Sequence, residues 1–294
     1  MKVLVYGSIN IDLTFMVDHI AKAGETIGSI SIERSAGGKG ANQAASLAKA
    51  GMPVYLAGKI GQDGRFLLDL LQSYGVNTDN VVEYEGSTGQ ALIQIDRNKQ
   101  NAIVVYSGGN GKITTEEIER TIVQFGAGDL LLFQNEIIHT EELMQAAKKQ
   151  GVKICINPSP YDKQVEALPL DMADIFFVNE LEGMGMAGVP ADTPYQAVMD
   201  ALVKRFPDSE ILLTAGKDGA YYGYRNIRER GTIMDVPVVD TVGAGDTFTG
   251  YYLAARYRNY PVAKALDIAC RAASIAVSRK GAMEAIPFAS EVFD

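Results

Sequence analysis

Short apolar runs alternate along the chain with segments of helical periodicity. Six runs have strand character, at residues 3–6, 54–57, 130–133, 153–156, 175–178 and 211–214. Between them, side chains such as Phe66, Leu67, Leu70 and Leu71 fall on one face of a helix that should stop before Gly75. This alternation of strands and helices predicts an α/β fold in which helices cover a parallel sheet.

The segment from Thr140 to Gly151 has the signals of a complete helix. Thr140 is a candidate N-cap, acidic residues follow it, and two lysines precede the terminal glycine. We therefore expect one helix here, capped by Thr140.

Two segments, 11–35 and 87–107, interrupt this rhythm because their apolar residues alternate without a helix between them. The link 97–100 reads as a hairpin turn, although it lacks glycine. We predict a small antiparallel sheet that stands off the core. Its exposed face carries many apolar residues, so it should cover a site, contact another subunit, or do both.

Composition and charge narrow the class of protein. The 294 residues are 47% apolar, which is enough for one large core, and the net charge of −9 argues against a nucleic-acid or anionic-membrane surface. Cys155 and Cys270 each lie in an apolar run, which favours reduced thiols over a disulfide framework. No segment has the character of a signal peptide or a membrane span, so we expect a cytoplasmic protein.

The segment 239–248 carries the strongest chemical signal. Glycines bracket Ala244 at the predicted start of a helix, and Asp246 lies beside them. Backbone N–H groups of a first helical turn bind anions, and a carboxylate can take a proton from a hydroxyl. Together they suit phosphoryl transfer. Taken alone, the segment fits a glycine-rich turn capped by aspartate equally well.

Two other segments carry polar groups near flexible backbone. Gly37 to Asn42 includes Lys39 and three glycines, which fits a small polar ligand or simply a helix start. Asn179 and Glu182 follow a predicted strand, where they could hold magnesium through water or cap a helix. The nearby Gly183–Gly188 spacing imitates a dinucleotide motif, but it does not directly follow a strand and Pro190 comes soon after, so an NAD-dependent oxidoreductase is disfavoured.

Taken in order, seven motifs resemble those of the ribokinases and, more broadly, of the PfkB family of sugar and nucleoside kinases. They are Gly7 to Asp12, Gly37 to Ala44, Ser87 to Gly89, Asn157 to Pro160, Asn179 to Glu182, Asp240 to Gly250 and Arg279 to Ala282. The resemblance covers nearly the whole chain. It implies a ribokinase-like fold with a central, mostly parallel sheet, a core of residues 1–11, 37–86 and 108–294, and a β lid of residues 12–36 and 87–107.

The resemblance also implies roles for individual residues. Sugar hydroxyls would be bound by Asn10, Asp12, Gly38, Lys39, Asn42 and Glu136. Asp246 would be the base, and the backbone amides of Gly243, Ala244, Gly245 and Asp246 would form an anion hole. ATP would contact Asn179, Thr214, Gly216 and Gly219, with magnesium near Asn179 and Glu182. A monovalent cation, usually potassium, would be held by Asp240, Val242, Ala276, Arg279 and Gly281.

One position departs from the family pattern, because Ala285 stands where ribokinases typically have serine. The predicted potassium site would therefore lack one of its usual ligands. The expected activity is ATP-dependent phosphorylation of the primary hydroxyl of a pentose, D-ribose above all, by a homodimer joined through the lid. A ketohexose or nucleoside acceptor stays open, as does a noncatalytic sugar-binding sensor.

Overall fold

The computed structural model describes residues 1–293, which form two sheets and ten α-helices. The strands are β1 (Val3–Tyr6), β2 (Asn10–Met16), β3 (Ser31–Gly37), β4 (Val54–Ile60), β5 (Asn77–Glu83), β6 (Gly89–Ile95), β7 (Asn101–Tyr106), β8 (Leu130–Gln134), β9 (Lys153–Asn157), β10 (Ile175–Asn179), β11 (Glu210–Thr214), β12 (Ala220–Tyr224) and β13 (Ile227–Gly231). The helices are α1 (Lys39–Lys49), α2 (Arg65–Ser73), α3 (Thr115–Ile122), α4 (Thr140–Lys149), α5 (Lys163–Glu166), α6 (Glu180–Ala187), α7 (Tyr195–Arg205), α8 (Ala244–Tyr257), α9 (Val262–Val277) and α10 (Ala289–Val292).

Nine strands form the large sheet, in the order β13-β12-β11-β10-β9-β8-β1-β4-β5. All neighbours pair in parallel except β11 with β12 and β12 with β13. All six predicted strands are present in this sheet. The prediction of a mostly parallel sheet flanked by helices is confirmed.

Each face of the large sheet is covered by its own apolar core. Along β1, Val3 and Val5 belong to the core that includes α1, α8 and α9, whereas Leu4 and Tyr6 belong to the core on the other face. Alternate side chains of a strand point to opposite faces, so both faces of β1 are buried. The strand is therefore fixed between two helical layers, and its carboxyl end is held in place.

A separate four-stranded sheet has the order β3-β2-β6-β7. The predicted hairpin between β6 and β7 is present, and Lys99 in its turn adopts the left-handed conformation, at φ 62°. The prediction of a wholly antiparallel sheet was wrong, because β2 pairs in parallel with β6. These two strands come from separate segments that both leave the core in the same direction.

Other local predictions need correction. Thr140 is the first residue of α4 and not its N-cap, since His139 occupies that position without a side-chain bond. Strands β5 and β13 were missed because they lie at the two ends of the sheet order and include many polar residues, and β12 was missed because Gly223 interrupts its short run of tyrosines. Cys155 and Cys270 are buried free thiols, as predicted. Within residues 1–293, no helix combines the length and the apolar character needed to cross a bilayer.

Candidate active site

Five neighbouring parallel strands end in polar residues at one edge of the large sheet. Gly7 and Ser8 follow β1 and Glu136 follows β8, while β9, β10 and β11 reach this edge at Asn157, Asn179 and Thr214. Gln134 is in register with Asn157, and Asn179 with Thr214. Because the carboxyl ends of parallel strands meet at one edge, residues far apart in sequence are gathered there.

Glycines let the start of α1 approach the end of β1. A Cβ atom at Gly40 would lie 2.5 Å from the carbonyl carbon of Gly7, and one at Gly38, whose φ is 90°, would lie 2.7 Å from the Ser8 oxygen. A larger residue at either position would push the helix away from the sheet. The close approach therefore places Lys39, Asn42 and Gln43 at the sheet edge.

The second predicted signature forms the start of α8. Gly243 precedes the helix in the left-handed conformation, at φ 73°, and no side chain caps the helix. Within the described residues, the N–H groups of Gly245 and Asp246 have no hydrogen-bond acceptor. These free N–H groups, together with the helix dipole, form a site suited to an anion.

Asp246 is buried, and both of its carboxylate oxygens accept hydrogen bonds from α1. Asn42 Nδ2 lies 3.0 Å from Oδ2, and Gln43 Nε2 lies 2.9 Å from Oδ1. Burial raises the pKa of Asp246, whereas the Lys39 ammonium and these two hydrogen bonds oppose that rise. The net pKa is above its usual range, which makes the carboxylate a better proton acceptor than a solvated aspartate.

Lys39, Glu136 and Asp12 form a charged group beside this carboxylate. Lys39 Nζ lies 2.8 Å from Glu136 Oε1, and Glu136 Oε2 accepts hydrogen bonds from Ser8 Oγ and the Lys39 N–H. Burial lowers the pKa of Lys39, but the charges of Glu136, Asp246 and Glu182 outweigh it and the net pKa is raised. Lys39 is therefore a fixed cation among carboxylates.

Asp12 differs from Glu136 because no hydrogen bond to its carboxylate is present within residues 1–293. Burial and, next, the charge of Glu136 raise its pKa to about 6, against an opposing effect of Lys39. Gly37 leaves room for the carboxylate, since a Cβ there would lie 2.2 Å from Asp12 Oδ2. Asp12 thus has two acceptor oxygens available to a ligand.

The amide of Asn42 also has a free acceptor. Its Oδ1 is buried and has no hydrogen-bond partner. Rotating the amide would satisfy neither end, because it would turn Oδ1 toward the Asp246 carboxylate. A buried acceptor without a donor is costly, so this position fits a ligand hydroxyl.

A cavity of about 260 Å³ connects several of the predicted residues. It is lined by Lys39, Asn157, Ser159, Phe177, Val178, Asn179, Glu182, Thr214, Thr241, Gly243, Ala244, Gly245, Asp246 and Thr249. The structure therefore brings three parts of the fold around one space. They are the start of α8, the start of α1 at Lys39, and the carboxyl ends of β9, β10 and β11. Asn10, Asp12, Gly38, Asn42, Glu136, Gly216 and Gly219 do not line it. Two of them contact residues that do line it, since Asn42 donates a hydrogen bond to Asp246 and Glu136 accepts one from Lys39.

Asn179 and Glu182 form a capping box at the start of α6. Asn179 Oδ1 accepts from the Glu182 N–H and Glu182 Oε2 accepts from the Asn179 N–H, each at 2.9 Å. Glu182 Oε1 is not used by this pair, so the residue fits a cation held through water. Gly183 and Gly185 lie inside α6, packed against Leu213 and Tyr161, and not in a strand-to-helix turn. They cannot serve as a dinucleotide loop.

Of the five residues predicted to hold a monovalent cation, four lie on two loops that the Asp240 side chain joins, whereas Ala276 lies in α9. The Asp240 carboxylate accepts hydrogen bonds from the N–H groups of Val242 (3.0 Å) and Gly281 (3.1 Å). The carbonyl of Ala276 accepts from the Arg279 N–H, whereas the carbonyls of Asp240, Val242, Arg279 and Gly281 have no acceptor role within residues 1–293. These carbonyl oxygens are therefore not occupied by protein donors, and the nearby Ala285 side chain contributes only a buried methyl group.

Several polar residues of the site were not assigned a role from the sequence. Asn110 Nδ2 lies 2.7 Å from Asn10 Oδ1, Ser8 holds Glu136, and Gln43 contacts Asp246. Gln43 and Gln134 are fully buried in apolar segments. A buried glutamine within an alanine-rich helix is a usable signal, although only the fold shows what it contacts.

Comparisons with known proteins agree with this geometry. Residues 1–289 match the family described as pfkB family carbohydrate kinase. The chain is 33% identical over 297 residues to a ribokinase of Haemophilus influenzae, covering 99% of this chain and 96% of that protein. It is also similar to the ribokinase of Cryptococcus neoformans in complex with ADP (TM-score 0.87, 32% identity, 99% and 98% covered) and to that of Arabidopsis thaliana complexed with ribose and ATP (TM-score 0.85, 29% identity, 99% and 97% covered).

The chain belongs to the PfkB family of carbohydrate kinases. Its two sheets also correspond to the fold of the ribokinase structures, so the predicted ribokinase-like fold is confirmed.

Proposed function

We propose that this protein is an ATP-dependent kinase that phosphorylates the primary hydroxyl of D-ribose to give ribose 5-phosphate. The observation that carries the proposal is the position of Asp246. Its buried carboxylate lies at the start of α8, beside N–H groups without an acceptor, in the wall of one cavity. A proton acceptor and an anion site are thereby adjacent, as direct phosphoryl transfer requires.

The polar groups around Asp246 support a sugar as the acceptor. The free oxygens of Asp12 and Asn42 need hydroxyl donors, and Lys39 supplies a cation with further donors. A substrate without those hydroxyls would leave buried acceptors unpaired, which penalises its binding. Glu136 and Asn10 would then hold the pocket and contact the sugar at its edges. Similarity to ribokinases over nearly the whole chain favours ribose over a ketohexose or a nucleoside.

The proposed reaction is a single in-line transfer. Asp246 accepts the proton of the primary hydroxyl as the hydroxyl oxygen forms a bond to the γ-phosphorus of ATP. The bond from that phosphorus to the bridging oxygen breaks, and ADP leaves with the electron pair. The N–H groups of Gly243, Ala244, Gly245 and Asp246 would stabilise the charge on the transferring group.

ATP would occupy the part of the cavity at the ends of β10 and β11. Asn179 and Thr214 line it, and Gly216 and Gly219 follow in the turn after β11, both with positive φ. Glu182 and Asn179 would hold Mg²⁺ through water, and the ion would neutralise phosphate charge. Among residues 1–293 no cluster of three or more His, Cys, Asp or Glu side chains could hold a metal directly, which agrees with a water-mediated site.

A monovalent cation would be held by the carbonyl oxygens of Asp240, Val242, Arg279 and Gly281, with Ala276 adjacent. The free carbonyls support this proposal, as does the Asp240 carboxylate, which joins the two loops. When bound, potassium would add positive charge near the start of α8. Its effect should be weaker than in a protein with serine at the position of Ala285.

The small sheet would act as a lid and as the contact of a homodimer. Residues paired in register share a face, so Val105 lies on the face of Asp12, whereas Val104 and Tyr106 lie on the other. All three side chains are at least half exposed. One apolar face would cover the sugar and the other would meet a second copy. The proposed use of ATP and the free thiols of the two cysteines fit an enzyme of the cytoplasm.

A substrate panel tests the proposed function. Purified protein would be supplied with MgATP and, in turn, pentoses, ketohexoses and nucleosides, and ADP release would be measured. D-Ribose should give the highest kcat/KM, and the product should carry phosphate on its primary hydroxyl. A higher kcat/KM with a nucleoside or ketohexose would reassign the acceptor. Sugar binding without ADP release from any of them would indicate a sensor.

A further inference from the structure

Gln43 occupies a position that the proposed reaction does not yet use. It is fully buried on α1, and its amide nitrogen lies 2.9 Å from Asp246 Oδ1 and 3.0 Å from Asn157 Oδ1. Its amide oxygen accepts a hydrogen bond of 2.6 Å from Gln134 Nε2. Three elements, α1, β8 and β9, thus converge on one amide group beside the base.

The orientation of these amides follows from the charge on Asp246. An ionised carboxylate only accepts hydrogen bonds, so Gln43 must turn its NH₂ group toward it. The oxygen of Gln43 then faces β8, where it needs a donor, and Gln134 supplies one. Gln134 Oε1 is left buried without a partner, which is the cost of this arrangement. A chain of amides is therefore fixed in one direction that ends at the carboxylate.

We propose that Gln43 is a positioning residue that fixes the Asp246 carboxylate for proton transfer by donating a hydrogen bond to its Oδ1, with Gln134 holding Gln43 from behind. This inference rests on the proposed function. Gln43 does not touch the substrates in this role. It acts through Asp246, while Asn42 holds the other carboxylate oxygen and offers its own free oxygen to the sugar.

The charged groups that face Asp246 set the sign of the expected effect. Lys39 on α1 favours the ionised form, and Glu136 after β8 opposes it. The hydrogen bond from Gln43 also favours the ionised form, so its loss should raise the pKa of Asp246. More of the base would then be protonated at a given pH, and the acid limb of the pH–rate profile would shift toward higher pH.

The test compares pH profiles of kcat for the full-length protein and two variants, Gln43→Met and Gln43→Glu. Methionine keeps the volume and removes the donor, whereas glutamate places a second carboxylate beside Asp246. In Gln43→Met we expect the acid limb to shift by about one to two pH units toward higher pH, because one hydrogen bond to a charged group is lost. The shift should be larger in Gln43→Glu. The Kd for the sugar should change less than threefold in Gln43→Met.

Ser46→Ala provides the matched control. Ser46 is fully buried on the same helix and its hydroxyl lies 3.1 Å from the Thr247 carbonyl oxygen, so it also joins α1 to α8 without touching the Asp246 side chain. It should lower the melting temperature and leave the acid limb in place. An unchanged acid limb in Gln43→Met, or an equal shift in Ser46→Ala, would overturn the inference.

Gln134→Met keeps the test decisive if the Gln43 variants fail to fold. It removes the donor that holds Gln43, and it should shift the acid limb in the same direction by a smaller amount. No shift in a folded Gln134→Met protein would refute its supporting role and, without folded Gln43 variants, the inference as a whole. If the wild-type protein transferred no phosphate to any sugar, the proposed function would fail instead, which is a separate outcome.

Discussion

The two sides of the proposed sugar site are built differently. On the core side, Asp246, Asn42 and Gln43 are buried and joined by hydrogen bonds between two packed helices. On the side of the small sheet, β7 is mostly exposed, and an ion pair between exposed Lys280 and Glu33 reaches back to the core. The groups around Asp246 are therefore enclosed by packing, whereas much of the small sheet is open to solvent.

The largest loss of activity is expected when the proposed base on the core side is removed. Asp246→Asn keeps the shape and loses the proton acceptor, so kcat should fall by about 10²- to 10⁴-fold. Steady-state kinetics with D-ribose and MgATP would measure this, and circular dichroism would verify folding. Near-normal turnover in a folded variant would remove Asp246 as the base.

Substitutions in the same two regions should also differ in their effect on the free energy of unfolding. Phe176 is fully buried and its ring lies 4.7 Å from that of Phe206, so Phe176→Ala should lower the free energy of unfolding by about 3–5 kcal/mol. Val104→Ala, at an exposed position of β7, should change it by less than about 0.5 kcal/mol. Urea titrations of both variants measure the difference, and similar losses would contradict a loosely supported small sheet.

Sugar binding should depend on pH through Asp12, which comes from the small sheet. Its pKa of about 6 in the free protein lies above the usual value, and sugar hydroxyls would bind the ionised form. Affinity is therefore complete above about pH 6 and is lost as pH falls through that value, with KM for ribose rising about tenfold per unit below it. In Asp12→Asn, KM should be high at every pH. A wild-type KM that stays constant from pH 7 to 5 would exclude this role.

Assembly should depend on the small sheet alone. Val104→Glu places a charge on the face opposite Asp12 and should convert a dimer into monomers in sedimentation velocity experiments. Val123→Glu is the matched control, because Val123 is similarly exposed, at 61% against 65%, but lies after α3 on the core. The proposed contact is wrong if both variants keep the same mass, or if both dissociate.

The smallest expected effect concerns potassium. Rates measured in potassium chloride should exceed those measured with a large organic cation at equal ionic strength, because the proposed site of backbone carbonyls near Asp240 and Gly281 would coordinate a small bare ion. Equal rates would show that the site is not used.

The sequence predicted the parts of the fold in which local pattern and burial agree. The six apolar strands in the middle of the large sheet, β11, β10, β9, β8, β1 and β4, were found, whereas β12 and the polar edge strands β5 and β13 were not, since a strand at a sheet edge needs few apolar residues. The parallel pairing of β2 with β6 joins residues far apart in sequence, and no local pattern encodes it.

The candidate site was predicted through its motifs more than through its contacts. The glycines before Asp246 left an anion site and a simple capped turn equally open, and the structure brings Asp246 to the cavity. The assignment of Asn42 came from resemblance. The role of Gln43 could not be inferred because its partner lies 203 positions away. Such a contact depends on the packing of α1 against α8, which sequence spacing does not reveal.

The packing of α1 against α8 also bears on synthesis. Lys39, Asn42 and Gln43 leave the ribosome long before Asp246 does, and the loop that carries Gly281 comes later still. With Asp246 as the proposed base, phosphate transfer requires a chain that has been translated beyond this residue, and therefore most of the sequence.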